Sequence, residues 1–221
     1  MTLSVHALST YATVRDELGL TGTQAQTRIE RLIEAASAEF ESLANRHFEN
    51  STAVTELLPG YGDYRLILRR VPVVSITTIK LLNTDGTVAD TATSTDFKIE
   101  DADAGFISKP GGWYWTARTG NDIQASRLSG TELKMVEVVY NGGYITPNQT
   151  GTRNLPYDIE ESIIQSVVGL YRAQGRDPTI TSETSAAGSS VSYGSSSSDT
   201  SGSFLTTAAK ACARRYYRGF L

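Results

Sequence analysis

Few residues in this 221-residue chain are of the kinds that do chemistry, and their spacing suits it poorly. The two histidines are His6 and His47. Neither has neighbours at metal-ligand spacing, and each reads as a cap or surface residue rather than a general base. The single cysteine, Cys212, has Lys210, Arg214, Arg215 and Arg218 nearby, which would lower a thiol's pKa. It also falls on the apolar side of a short helical pattern, which reads as a small packed thiol. One cysteine forms no intrachain disulfide and no metal cluster. Asp101 with Asp103, and Glu160 with Glu161, are carboxylate pairs that acid–base catalysis or calcium binding would use. The Asp101-Ala-Asp-Ala-Gly stretch lacks the remaining ligands of a calcium loop, and both pairs read as exposed loop and helix-start charges. There is no P-loop, no GxGxxG opening a helix, no HExxH, no GxSxG and no CxxC. The expectation is a protein that is not an enzyme, with no cofactor and no metal.

Two other groups have recognition chemistry. Trp113-Tyr114-Trp115 beside Gly111-Gly112 would stack sugars or bases, or would fill a β core or a subunit interface. Near the C-terminus, Lys210, Arg214 and Arg218 recur at i, i+4 and i+8 and make one stripe of a helix. Leu205, Ala208, Ala209, Cys212 and Tyr216 make the opposite, apolar one. This helix could fold back on its own domain, enter a partner's groove, or meet an anionic membrane or nucleic acid. Its apolar face is poor in Leu and Phe, so a membrane suits it least. An isolated helix of this length is marginal in water and is expected to fold only when docked.

The elements that must position these groups follow from periodicity. Thr10 to Leu18 reads as a short helix with Ser9 as N-cap and Gly19 as its stop. A second helix, 24–47, begins near Thr23 with Gln26 completing a capping box. It carries Ile29, Leu32, Ile33, Ala36, Phe40 and Leu43 as one buried stripe, with Glu30, Arg31, Glu34 and Glu41 off it. Between 52 and 144 the period changes to two. Ala53–Leu58 and Tyr64–Leu68 read as a hairpin about Pro59-Gly-Tyr-Gly-Asp. Val73–Leu82 is a β-branched strand before the Asn83-Thr-Asp-Gly turn, and Asp96–Glu100 and Gly105–Ser108 are short strands. Leu133–Tyr140 is the clearest strand, ended by Asn141-Gly-Gly. A third helix, 156–174, opens at Pro156 with Asp158, Glu160 and Glu161 in its first turn. Its buried stripe is Ile159, Ile163, Val167, Leu170 and Tyr171. Segregated helices and strands predict an α+β fold: a helical core with an inserted antiparallel β domain.

Residues 179–203 contain 11 serines in 25 positions and cannot bury enough apolar surface to offset their ordering entropy. They read as a flexible tether between a 1–178 body and a 204–221 docking helix. Charge divides the same way. The body carries 16 Lys+Arg against 22 Asp+Glu, whereas 204–221 carries four basic residues and no acidic one. An acidic body argues against a sequence-reading nucleic-acid binder. The N-terminal stretch lacks a charged region leading into an apolar run, so no signal peptide is expected. No run approaches about 18 apolar residues, so no membrane span is expected. The sequons at Asn50 and Asn148 then read as chance.

Four stretches together resemble the head–tail adaptor (connector) proteins of tailed bacteriophages, the gp6-like and gp15-like group. They are IERLIEAASAEFESLANRHF ending the second helix, LILRRVPVVSITTIKLLNTDGT at 66–87, VEVVYNGGY at 136–144, and NLPYDIEESIIQSVVGLYR at 154–172. The resemblance implies a structural virion protein, assembled in the host cytoplasm and placed at the capsid vertex. It implies a homo-oligomeric ring, typically of twelve subunits, between the portal and the tail-completion or stopper protein. Double-stranded DNA would pass through its channel without sequence-specific binding. The serine tract and basic helix are longer than a minimal adaptor needs. With the resemblance, Lys210, Arg214, Arg215 and Arg218 become candidates to pair with acidic portal residues, and Tyr216, Tyr217 and Phe220 become apolar anchors. The alternative is a carbohydrate- or host-surface-binding β module using Trp113, Tyr114 and Trp115.

Overall fold

The computed structural model describes residues 2–59, 64–82, 86–111, 113, 135–173, 182–184, 190–192 and 202–219. The chain is α+β and divides into two compact units: Met1–Arg46 with Ile145–Leu221, and His47–Tyr144 between them in sequence. The first holds the described helices, α1 (Tyr11–Leu18), α2 (Gln26–Ala44), α3 (Tyr157–Arg172) and α4 (Thr207–Arg215). The second holds β1 (Ser51–Pro59), β2 (Arg65–Ile67), β3 (Val73–Leu82), β4 (Val88–Ala92), β5 (Lys98–Asp101), β6 (Phe106–Ser108) and β7 (Met135–Gly142).

In the helical unit, α2 and α3 pack on each other and on α1. Ile29, Ile33, Ala36 and Phe40 of α2 are fully buried, as are Ile159, Ile163 and Val167 of α3. Each of the larger side chains contributes roughly 1.5–3 kcal/mol by leaving water. The α2 stripe is wider than the periodicity predicts. Glu30, Ser37 and Glu41, expected to lie off the core or not singled out, are buried too. Part of that extra width is taken up by the N-terminal segment lying along α2. The Leu8 N–H donates to Ser37 Oγ at 3.0 Å, and the Ser4 N–H and hydroxyl donate to the Glu34 carboxylate at 2.5 and 2.8 Å. Asn148 is no bare sequon: its Nδ2 donates to the carbonyls of Ala7 and Ser9.

The helix ends correct two expectations. Thr10, not Ser9, caps α1, its Oγ1 accepting the Thr13 N–H at 3.2 Å, because Ser9 is itself buried. No capping box forms at Thr23. Helix α2 starts at Gln26 without a side-chain cap, and the Gln26 side chain donates forward to Glu30 at 2.7 Å. Gly19 and Asn45 stop their helices in the left-handed conformation.

The β unit has a four-stranded sheet, β1-β7-β3-β4, and a three-stranded one, β2-β6-β5, all pairs antiparallel. The hairpin expected between Ala53–Leu58 and Tyr64–Leu68 is not present: β1 pairs with β7, and β2 with β6 in the other sheet. Strand β7 is central, and Val136, Val138 and Tyr140 on its inner face are fully buried. They join Leu66, Leu68, Ile79, Leu81 and Ile107 in one core drawn from both sheets. The Tyr140 hydroxyl donates to Glu56 Oε1 at 2.5 Å and accepts the Arg70 N–H at 2.9 Å. Burial first, and then the Glu56 carboxylate, push that phenol's pKa well up.

The unit begins and ends at one place. The Tyr144 N–H donates to the Phe48 carbonyl and the Asn50 N–H to the Tyr144 carbonyl, both at 2.7 Å. Two glycines let these backbones approach. A Cβ on Gly143 (φ +106°) would lie 2.1 Å from the Glu49 carbonyl oxygen, and one on Gly142 would lie 2.6 Å from that of Arg70.

Within 179–203, the stretch expected to lack regular structure, Ser182–Thr184 (β8) and Ser190–Ser192 (β9) pair as an antiparallel ribbon.

Candidate partner-docking face of the helical unit

The C-terminal helix is built on its own unit. Thr206 caps α4 by accepting the Ala209 N–H at 3.2 Å. Arg214 and Arg215 sit in the last turn, where the helix dipole favours cations. The buried positions are Leu205, Ala209, Cys212 and Ala213, and the helix packs against α2 and α3. Ala208 is exposed, so the apolar stripe is rotated by one position from the expected one. Of the dockings left open for this helix, the one on its own unit is observed: its apolar face is covered by α2 and α3.

Polar clips fix both ends of α4. At the start, Glu39 accepts from the Ser203 hydroxyl at 2.5 Å and from the Phe204 N–H at 2.6 Å, and Ser166 Oγ accepts the Thr206 N–H at 3.2 Å. At the end, Asp158 in the first turn of α3 gathers three side chains. Tyr216 Oη donates to it at 2.8 Å, Arg215 Nη2 pairs with it at 3.2 Å, and the Cys212 thiol lies 3.7 Å from its Oδ2. Beyond the helix, the Arg218 N–H donates to the Ala44 carbonyl at 3.0 Å, and Asn45 Nδ2 donates to the Arg218 carbonyl at 2.8 Å.

These contacts sort the predicted docking residues. Tyr216 and the main chain of Arg218 hold the helix in place. Arg215 does so through Asp158 while remaining largely exposed. Arg214 and Tyr217 are exposed, Tyr217 by 57%, and Lys210 is half-buried. Phe220 lies outside the described residues. Cys212 is the small packed thiol that its place on the apolar side predicts, buried rather than presented for reaction. The receiving residues Glu39, Asn45 and Asp158 were not singled out as a set. Asp158 gives a signal only as a helix-start carboxylate.

The carbohydrate alternative loses its anchor. Trp113 is 1% exposed and belongs to the β core, with its Nε1–H directed to the Ile107 carbonyl at 3.4 Å. A ring buried in a core offers no face for stacking. Tyr114 and Trp115 lie outside the described residues. Glu160, read as an exposed helix-start charge, is buried and paired with Arg153. Its desolvation pushes its pKa up, and the Arg153 guanidinium pulls it partly back. Among the described residues, no helix is long and apolar enough to cross a membrane.

No protein-family model and no curated protein matches the sequence. Solved structures do resemble the fold. A chain of the neck of an empty GTA particle, computed with C6 symmetry, is 15% identical with a TM-score of 0.55, over 100% of this chain and 95% of that one. A chain of the virion of a native gene transfer agent (GTA) particle is 17% identical with a TM-score of 0.50, over 80% and 84%. A chain of the neck of a native GTA particle, computed with C12 symmetry, is 16% identical with a TM-score of 0.47, over 80% and 82%. At these identities the likeness is one of fold.

Proposed function

We propose that this chain is a structural, non-catalytic subunit of the neck of a phage-like particle: a ring adaptor between the portal and the tail or stopper protein. The observation that carries this reading is the correspondence of fold along the whole chain with a protein from the neck of a GTA particle. The adaptor-like stretches of the sequence support it independently. They lie where the structure gives them structural work: the α2 core, the β2–β3 segment, the paired glycines and the start of α3. The C6 symmetry of that neck suits a homo-oligomeric ring, and the twelve copies implied by the sequence resemblance are compatible with it. A net-negative body lining such a ring repels DNA phosphates, so double-stranded DNA passes without being gripped.

In this reading α4 stays seated on its own unit and turns its basic side outward. Arg214 and Tyr217, flanked by Lys210, Arg215 and Arg218, meet an acidic portal surface. Many copies in one ring turn a weak contact into firm attachment. The test is co-sedimentation of the purified chain with portal-bearing heads. Arg214→Glu combined with Tyr217→Ala is expected to weaken capture about tenfold or more, at unchanged circular dichroism. Undiminished capture of that variant would overturn the docking face. Absence of capture of the unaltered chain would overturn the adaptor role.

A further inference from the structure

Beside the buried face of α2 runs a second one that its own unit leaves open. Arg28, Arg31, Leu32 and Ala35 share this face at helical spacing, and Phe204 closes it into a cleft of about 420 Å³. Leu32, Ala35 and Phe204 supply apolar surface, and two exposed guanidinium-bearing residues border it. Phe204 is 42% exposed but is no frayed end, since the Glu39 carboxylate holds both its N–H and the preceding Ser203 hydroxyl. An apolar cleft edged by two cations fits an aromatic or aliphatic side chain accompanied by a carboxylate.

The chain carries such a group on the same unit. Tyr157, the first residue of α3, is 80% exposed, the largest value among the exposed large hydrophobics of the described residues. The Arg153 guanidinium carbon lies 4.7 Å from its ring centroid, and Arg153 is itself paired with Glu160. The ring is thereby held ready, which lowers the ordering cost of binding. Glu161, one helical turn on and exposed, lies on the same side of α3. Asp158 is already engaged by the Arg215 guanidinium and Tyr216, whereas exposed Glu161 accepts from the neutral Gln165 amide at 2.7 Å and keeps its charge for a cation.

We propose that the α2 cleft receives Tyr157 and Glu161 of a second copy of this chain, Tyr157 against Leu32, Ala35 and Phe204, and Glu161 against Arg28 and Arg31. The inference rests on the ring reading above and names the contact that would build the ring. One copy cannot make it with itself. Asp158 shares the C-terminal end of α4 with the last turn of α2, where Arg218 meets Ala44, whereas the cleft lies along residues 28–35. Twelve helical residues separate Leu32 from Ala44, about 18 Å at 1.5 Å per residue. If each copy offers its cleft to one neighbour and its Tyr157 to another, the interface is heterologous and builds a ring where its rotation closes.

The experiment uses the full chain and sedimentation velocity across a concentration series. Arg31→Glu and Glu161→Arg should each raise the concentration needed for assembly about five- to tenfold, and Tyr157→Ala by at least as much. All three positions are exposed, and circular dichroism confirms that each variant is folded. The double variant Arg31→Glu/Glu161→Arg should assemble like the unaltered chain, because each reversed charge meets the other across the interface. Single variants that assemble normally, or a double variant no better than either single one, would overturn this contact. If the unaltered chain forms rings while those results are found, only the contact falls. If the unaltered chain stays monomeric both alone and on heads, the ring reading falls and takes the contact with it.

Discussion

Gly143 combines a positive φ with a backbone approach that leaves no room for a methyl group. Gly143→Ala should therefore cost about 1–3 kcal/mol, read as a lower denaturant midpoint. An unchanged midpoint would mean that the segment carrying Glu49 moves aside freely. The sequence showed that Asn141-Gly-Gly ends a strand. It did not show why two glycines are needed, because Glu49 and Arg70 arrive from distant parts of the β unit. Glu160 carries a pH prediction. Its folded pKa is raised by burial, so the native state takes up a proton before the unfolded chain does. Its contribution is fully present below the unfolded value of about 4.3 and is lost as pH rises through the folded value. The melting temperature of the unaltered chain, relative to Glu160→Gln, should accordingly rise as pH falls from about 7 to about 4. A difference that is flat or falls would contradict the burial. The pairing with Arg153 was not legible, since the charged first turn of α3 reads equally well as a solvated helix start.

At the scale of elements, local pattern and long-range pairing part company. Helices α2 and α3 were readable because each buries a face set by its own periodicity, α1 because Gly19 stops it, and β3 from its β-branched residues. The false hairpin arose because Pro59-Gly-Tyr-Gly-Asp is good turn chemistry between two strand-like runs, whereas the partner of β1 is β7, much later in the chain. Helix α4 was readable as amphipathic, but not as seated. Its seat is made by Glu39, Asn45 and Asp158, each indistinguishable in sequence from any surface polar residue. Asp158→Ala removes the acceptor of Tyr216 and the partner of Arg215. It should loosen α4 by about 1–3 kcal/mol, with amide exchange in 207–215 faster by about tenfold or more and exchange in α2 unchanged. Exchange in α4 that does not change would show that apolar burial alone holds it.

At the scale of the molecule, the predicted α+β plan is the one observed: a helical unit interrupted in sequence by an antiparallel β unit. The proposed ring contact is the least legible feature, because a contact between copies leaves no periodic trace in one chain. What the sequence carried instead was residue types in order, enough for a resemblance but not for a surface. The surface candidates came from exposure: Arg214 and Tyr217 on α4, and the cleft and Tyr157 on opposite reaches of the helical unit. The proposed neck role is tested most directly by the mass of the purified chain, alone and mixed with the portal protein it is proposed to join. A neck adaptor should give a portal complex containing a multiple of six copies. A chain that remains a 23.9 kDa monomer in both samples would contradict the assignment.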